Sequence, residues 1–208
     1  MRFTVGLLVM ASCYEPDFAD CTVACAGNGD CAPGEVCTAS GKCAAPANAL
    51  ACAGDDDGGA IDPGDAVTVV AGRYATLLTD RENGCDFGNW VDGKTGTSFD
   101  LVVEQVSSTA VAALQGNLAL WFDAWLGSHL FAGGVDDAHM VLVLPGSHTT
   151  QRADGCAFTY DLVLDATLAG DELTGQWLYQ ARTNGAPACG ALTGCVTRQQ
   201  LSAIRAPE

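Results

Sequence analysis

The side chains of this chain that could carry chemistry are three histidines, eleven cysteines and a large excess of carboxylates. The histidines are His129, His139 and His148, and two of them end the same tripeptide, Gly127-Ser128-His129 and Gly146-Ser147-His148. Nucleophilic serine chemistry needs a base within hydrogen-bond reach and a carboxylate to orient it. Adjacent Ser and His on an extended chain point opposite ways, so neither tripeptide serves by itself. The strained G-x-S-x-G elbow that presents a nucleophilic serine is absent. The histidine gaps match no known zinc spacing, and no glycine loop is built to cradle phosphate. The carboxylates could supply a glycosidase pair, yet their abundance selects none. These residues predict no enzyme, no cofactor and no metal centre.

The aromatic side chains are the better candidates for a binding role. Trp121, Phe122 and Trp125 lie close together, and Trp90, Trp177 and Tyr179 add to them. In a strand, Trp121 and Trp125 share a face. Core packing is one use of such residues, since aromatics dominate small cores. The other is to line the mouth of a barrel and contact an apolar or sugar ligand. Trp121, Trp125, Trp177 and Tyr179 are the ligand-contact candidates.

The cysteines point to an oxidising compartment. Residues 1–12 read as a secretory signal: Arg2 is the only charge before Glu15, Phe3 to Met10 is apolar, and Ala11 and Ser12 are small. Met10-Ala11-Ser12-Cys13 resembles the lipobox of bacterial lipoproteins. The resemblance implies cleavage before Cys13 and lipidation of its side chain. Several acyl chains make a stable anchor where one alone is marginal. Without Cys13, ten cysteines remain. Six lie together as Cys21, Cys25, Cys31, Cys37, Cys43 and Cys52, and four are scattered as Cys85, Cys156, Cys189 and Cys195.

The chain divides near residue 66. Residues 13–53 read as a cysteine-rich module, lipidated as the lipobox resemblance implies, with turn signals at Asn28-Gly29, Pro33-Gly34 and Ser40-Gly41 and almost no apolar periodicity. So small a segment needs bridges in place of a core. Its six cysteines allow 15 pairings, and spacing does not choose among them. Cys31-Ala-Pro-Gly-Glu-Val-Cys37 and Gly41-Lys42-Cys43 resemble the Dickkopf-like or EGF-like modules of myxobacterial-type lipoproteins, which implies a disulfide-knotted extracellular module. Residues 54–65 are an acidic Gly/Asp linker. With Gly58 at the sixth position of a calcium loop, Ala53 and Gly64 fall at its first and last, and neither is a suitable ligand. A solvated spacer fits better.

Residues 66–208 read as antiparallel strands. Phe158, Tyr160, Leu162, Leu164, Ala166 and Leu168 alternate with polar neighbours over Cys156 to Leu168, a period of two. Leu173, Trp177 and Tyr179 continue it after a turn at Ala169-Gly170-Asp171, forming a hairpin. Further strands are expected over Val67 to Thr79, Ser98 to Val106, Thr109 to Leu114, Leu118 to Trp125, His139 to Leu144 and Val196 to Ile204, with a short one near Leu130. The expected fold is all-β, an antiparallel up-and-down barrel of about eight strands, favoured over an open sandwich because closure removes the sheet edges. Arg81-Glu-Asn-Gly-Cys85-Asp-Phe87 echoes Arg152-Ala-Asp-Gly-Cys156-Ala-Phe158. That echo, and the two glycines between Cys189 and Cys195, predict the bridges Cys85–Cys156 and Cys189–Cys195. The C-terminal runs Gly155 to Tyr160, Leu164 to Gly175 and Cys189 to Cys195 resemble the β-rich domain of uncharacterised myxobacterial-type lipoproteins. That likeness implies the same domain and an envelope location, with no activity to transfer.

The composition closes off other classes. With 25 acidic and 9 basic residues the net charge is -16, which argues against binding nucleic acid. Charged types are only 16% against 49% hydrophobic, too apolar for an acidic disordered tail. The sequence therefore predicts a non-enzymatic protein, exported and lipid-anchored at the outer membrane or cell surface. It would bind the membrane through its anchor and an unknown envelope or extracellular protein. A barrel-cavity binder of small apolar or sugar ligands is the alternative, and a hydrolase the third.

Overall fold

The computed structural model describes residues 20–54 and 69–207. Cys13 and the acidic run of the linker, residues 55–65, lie outside the described residues. The first part is a knot. Strands β1 (Val36–Cys37) and β2 (Cys43–Ala44) pair as a minimal hairpin, followed by a 3-10 helix, Pro46–Gly54. Three bridges hold it, Cys21–Cys52, Cys25–Cys37 and Cys31–Cys43.

The second part is a closed barrel. Its strands are β3 (Gly72–Asn83), β4 (Phe99–Val106), β5 (Thr109–Leu114), β6 (Leu130–Asp136), β7 (His139–Leu144), β9 (Ala157–Ala169), β10 (Glu172–Thr183) and β11 (Val196–Arg205). The two-residue strand β8 (Thr150–Gln151) adds to β9 alone. Every pairing is antiparallel and follows chain order, and β11 returns to β3 to close the ring. Closure gives each of these eight strands a neighbour on both sides. Five closed disulfides mark an extracellular or exported protein.

The two ends of the barrel are built differently. At one end β4–β5, β6–β7 and β9–β10 turn through two residues each. The first residue of each turn, Ser107, Asp137 or Gly170, has a positive φ, as the primed hairpin turns require. Arg205 seals this end: it donates to the Tyr74 hydroxyl at 2.8 Å and to the Val69 carbonyl at 2.8 Å. All four long connections emerge at the other end. They carry both barrel disulfides and an α-helix.

That helix, α1 (Asn117–Leu126), corrects one expectation. Leu118 to Trp125 is helical, and the short strand near Leu130 is full length and takes its place in the ring. The apolar residues there recur at helical spacing, and Ala119, Phe122 and Leu126 are buried on one face. They plug the open end of the barrel. Gly127 ends the helix in the left-handed region, φ 88°. A Cβ at this position would lie 2.1 Å from the Ser147 hydroxyl. The first strand also starts later than expected, at Gly72 rather than Val67.

The barrel is filled. Trp177 is fully buried at its centre, with Phe131 at 4.8 Å, Phe122 at 6.1 Å and Phe99 at 6.2 Å. Leu101, Leu142, Leu162, Leu164, Leu173 and Leu201 surround it. The knot packs on the outside of the wall: Val36 and Ala49 bury against Val111 of β5 and Ala132 of β6. Those two strands therefore have apolar residues on both faces, as strands covered twice do.

The barrel disulfides join Cys85 to Cys195 and Cys156 to Cys189, not Cys85 to Cys156 and Cys189 to Cys195. Register explains the correction. Asn83 faces Thr197 across β3 and β11, so two residues further out Cys85 faces Cys195. Phe158 faces Thr183 across β9 and β10, which brings Cys156 beside the 3-10 helix Pro187–Leu192 that holds Cys189. Cys85 follows β3 and Cys156 precedes β9, and these strands are three places apart in the ring. At about 4.8 Å per strand that is roughly 14 Å along the wall, beyond the roughly 4.4–6.8 Å a disulfide spans between Cα atoms.

Candidate binding cleft at the open end of the barrel

The upper half of β3 has no partner in β4. Residues 94–96 run back along it instead: the Asp80 N–H donates to the Lys94 carbonyl and the Gly96 N–H to the Leu78 carbonyl. This detour, with the start of α1, frames a cleft of about 910 Å3. Its inner wall is made of side chains that the strand alternation turns inward. These are Leu78 and Asp80 of β3, Tyr179 of β10 and Gln199 of β11. Phe99, Phe122 and Trp121 form the apolar side, and Lys94, Arg73, Asp100, Gln115 and Asn117 stand around the opening.

The floor is a hydrogen-bonded set. Asp80 is only 9% exposed. One of its oxygens accepts the Gln199 side-chain N–H at 2.7 Å and the other accepts the Val91 N–H at 3.2 Å. The Tyr179 hydroxyl donates to the Gln199 carbonyl oxygen at 3.0 Å. Burial pushes the Tyr179 phenol well above its ordinary range, and the nearby Asp80 carboxylate pushes it further. The Trp177 indole N–H is near enough to pull the other way, but by geometry it makes no hydrogen bond. Tyr179 is thus held neutral, as a donor fixed on Gln199. At the rim, Arg73 pairs with Asp100, and this contact raises the guanidinium's pKa further.

Of the four expected ligand-contact residues, the cleft takes two. Trp121 is 52% exposed and lines it, as does Tyr179. Trp125 is turned beneath the helix against Tyr160 at 5.6 Å and Tyr179 at 6.2 Å. Trp177 is in the core. The residues the sequence reading did not single out are Asp80, Gln199 and Lys94. The alternation held a signal for two of them: Tyr74, Thr76, Leu78 and Asp80 share one phase of β3, as Gln199, Leu201 and Ala203 do on β11. A carboxylate on an inward phase marks a polar site.

The histidines do not converge. His139 bonds Asp165 at 2.8 Å near the tight-turn end. That contact comes first among the causes holding the Asp165 carboxyl below its ordinary range, with Gln176 adding to it and burial opposing. His129 bonds Asp123 at 2.7 Å. The second Gly-Ser-His closes the C-terminus of α1. The Ser147 and His148 N–H groups and the Ser147 hydroxyl all donate to the Leu126 carbonyl, and the His148 ring contacts the Ala124 carbonyl at 3.2 Å. These carbonyls have no partner within the helix, so the tripeptide serves as a cap. No histidine lines the cleft.

No family model matches the chain, and no curated protein or solved structure matches it.

Proposed function

We propose that this protein is a non-enzymatic binding protein of the cell envelope, held to the outer membrane or cell surface through lipid on Cys13, whose barrel cleft takes a small ligand. The observation that carries the binding reading is the cleft itself. It is open to solvent at one end of a rigid barrel, and a few fixed polar groups converge in it beside an apolar wall, the usual make-up of a small-molecule site. Both disulfides of the barrel lie at this end and hold its loops. The non-enzymatic reading is supported by the histidines, each engaged away from the cleft. The anchor reading rests on Met10-Ala11-Ser12-Cys13, and the likeness of the cysteine segments to those of myxobacterial-type lipoproteins supports the same location.

Thermal unfolding and intrinsic tryptophan fluorescence of the full chain, measured against a chemically diverse small-ligand library, test the binding reading. At least one ligand class should raise the midpoint saturably, and Trp121→Ala should remove the fluorescence response. A library in which nothing does so removes the reading. Mass spectrometry of the mature N-terminus tests the anchor: a free amino terminus at any residue after Cys13 overturns it.

A further inference from the structure

We infer that the ligand of the cleft is a neutral saccharide, seated with a sugar ring against Trp121 and its hydroxyls on Asp80, Gln199 and the opening of α1. This rests on the binding reading above and names what is bound.

Charge decides first. The chain as a whole is strongly acidic, yet the cleft lining holds two cations, Arg73 and Lys94, and two carboxylates, Asp80 and Asp100. Arg73 and Asp100 are paired with each other. A lining that balances its charges favours neither an anion nor a cation. It is also too polar for a purely apolar ligand, which would bury Asp80, Lys94 and several amides without replacing their water, at a cost for each unpaired group.

Hydrogen-bonding capacity decides next. A carboxylate offers about four acceptor positions, and Asp80 uses two of them, for Gln199 and Val91. The Gln199 amide has a second N–H beyond the one given to Asp80, and the Tyr179 oxygen can still accept. Gly116 precedes α1 without a capping side chain, and Gln115, Gly116, Asn117 and Leu118 line the cleft. Donors and acceptors are thus interleaved over a short distance. The group that satisfies such a surface is the hydroxyl, one donor and two lone pairs on a single atom.

The aromatic wall supplies the rest. Trp121 is half-exposed but braced, with Phe122 edge-on at 4.9 Å and Trp125 at 4.7 Å. It offers a large apolar face whose position is already fixed, so little side-chain freedom is lost on contact. A pyranose has a complementary shape, with an apolar C–H face and a rim of hydroxyls. The cleft's size admits more than one sugar residue.

The test is calorimetric titration and ligand-observed NMR of the full chain with a panel of neutral mono- to tetrasaccharides, beside an anilinonaphthalene sulfonate dye and an alkylammonium salt. At least one saccharide should bind saturably at one site, and Trp121→Ala should weaken it about tenfold, or ~1.4 kcal/mol, in a variant that still unfolds cooperatively. Asp80→Asn should weaken it as well. Because Asp80 also holds Gln199 and Val91, Gln115→Ala at the rim provides a second polar variant that leaves the floor intact. If the dye or the ammonium binds in a Trp121-dependent way and no saccharide does, the saccharide inference fails while the cleft reading stands. If nothing binds, both fail. Saccharide binding indifferent to Trp121→Ala, Asp80→Asn and Gln115→Ala alike places the site elsewhere and overturns the inference.

Discussion

The two barrel disulfides differ in the length of chain they close, and that difference sets a measurable order of stability. Cys85 and Cys195 are 110 residues apart in sequence, and Cys156 and Cys189 are 33 apart. In the chain-entropy description, closing loops of these lengths removes about 4.8 and about 3.8 kcal/mol of unfolded-state freedom at 25 °C. The smaller loop is nested in the larger, so each bridge is worth a few tenths less while the other is closed, and the difference between them is unchanged. Cys85→Ala/Cys195→Ala should therefore cost about 1 kcal/mol more than Cys156→Ala/Cys189→Ala in urea unfolding. With a slope of about 2 kcal/mol/M the midpoints of the two variants should differ by about 0.5 M. The connectivity has an independent assay. Trypsin cuts after Arg81, Lys94, Arg152, Arg182 and Arg198, so Cys85 falls in residues 82–94, Cys156 in 153–182, and both Cys189 and Cys195 in 183–198. Without reductant the three peptides should travel as one linked species. A second cut at Leu192, between Cys189 and Cys195, should leave 82–94 with the Cys195 piece and 153–182 with the Cys189 piece. Release of 183–198 on its own, with 82–94 joined to 153–182, would refute the register argument along with the pairing.

Alkaline titration should show Tyr179 and Tyr160 ionising later than an ordinary phenol, since burial raises both. A raised folded pKa favours the neutral form, so the barrel keeps this contribution below about pH 10 and loses it as pH climbs toward the folded value. Phenolate absorbance that develops in one step at the ordinary pKa, with no loss of fold, would contradict it. Asp165 carries the opposite sign: its lowered pKa gives a contribution present above about pH 4 and lost as pH falls further. The stability gap between wild type and Asp165→Asn should be small, because the pair is partly exposed, and should close in acid; a gap that widens there refutes the assignment. Phe122→Ala removes the side chain by which α1 plugs the barrel, and should cost about 3–5 kcal/mol. A cost under about 1 kcal/mol in urea unfolding would mean that the helix does not seal the core.

Alternation made most of the barrel legible. Phe158 to Leu168 and Leu173 to Tyr179 have one strict phase each, and His139–Leu144 and Thr109–Leu114 begin and end where the pattern does. The stretch 118–125 misled because Trp121 and Trp125 share a face in both readings: four residues apart is same-side at a period of two and at a period of 3.6. The buried set Ala119, Phe122 and Leu126 separates them, since its members sit at helical spacing and fall on both faces of a strand. The disulfide pairing was missed for a different reason. All four cysteines lie at the open end, Cys156, Cys189 and Cys195 as the hairpin register implies and Cys85 through barrel closure, but their partners are chosen by which strands adjoin in the closed ring. Only the meeting of β11 with β3 supplies that information. The cleft was half legible. Its aromatic side is visible in composition, while Asp80 and Gln199, 119 residues apart, meet only through strand closure, and Lys94 arrives on the connection that folds back along β3.

The asymmetry of the barrel ends follows from one constraint and leads to the site. An up-and-down barrel has connections at two ends, and each connection either spends two residues on a turn or carries extra chain. Here the two-residue turns all fall at one end, where Tyr74 and Arg205 close the core. Extra chain is confined to the other end, where it would fray unless tied. The ties are Cys85–Cys195 and Cys156–Cys189, one bridge fixing the exit of β3 and the other the entry to β9. Held in this way, the 84–98 connection lies back along β3, and its residues 94–96 take the backbone hydrogen bonds that a longer β4 would have made. The opening this leaves between β4 and α1 is the cleft. Its polar floor stands on three strands of the closed wall, and its aromatic side on a helix pinned at Leu126 by the Ser147 cap. Polar groups on strands and an aromatic face on a braced helix give a site whose geometry is set before any ligand arrives. Binding there costs little ordering, so even a weakly interacting neutral ligand can be held with useful affinity.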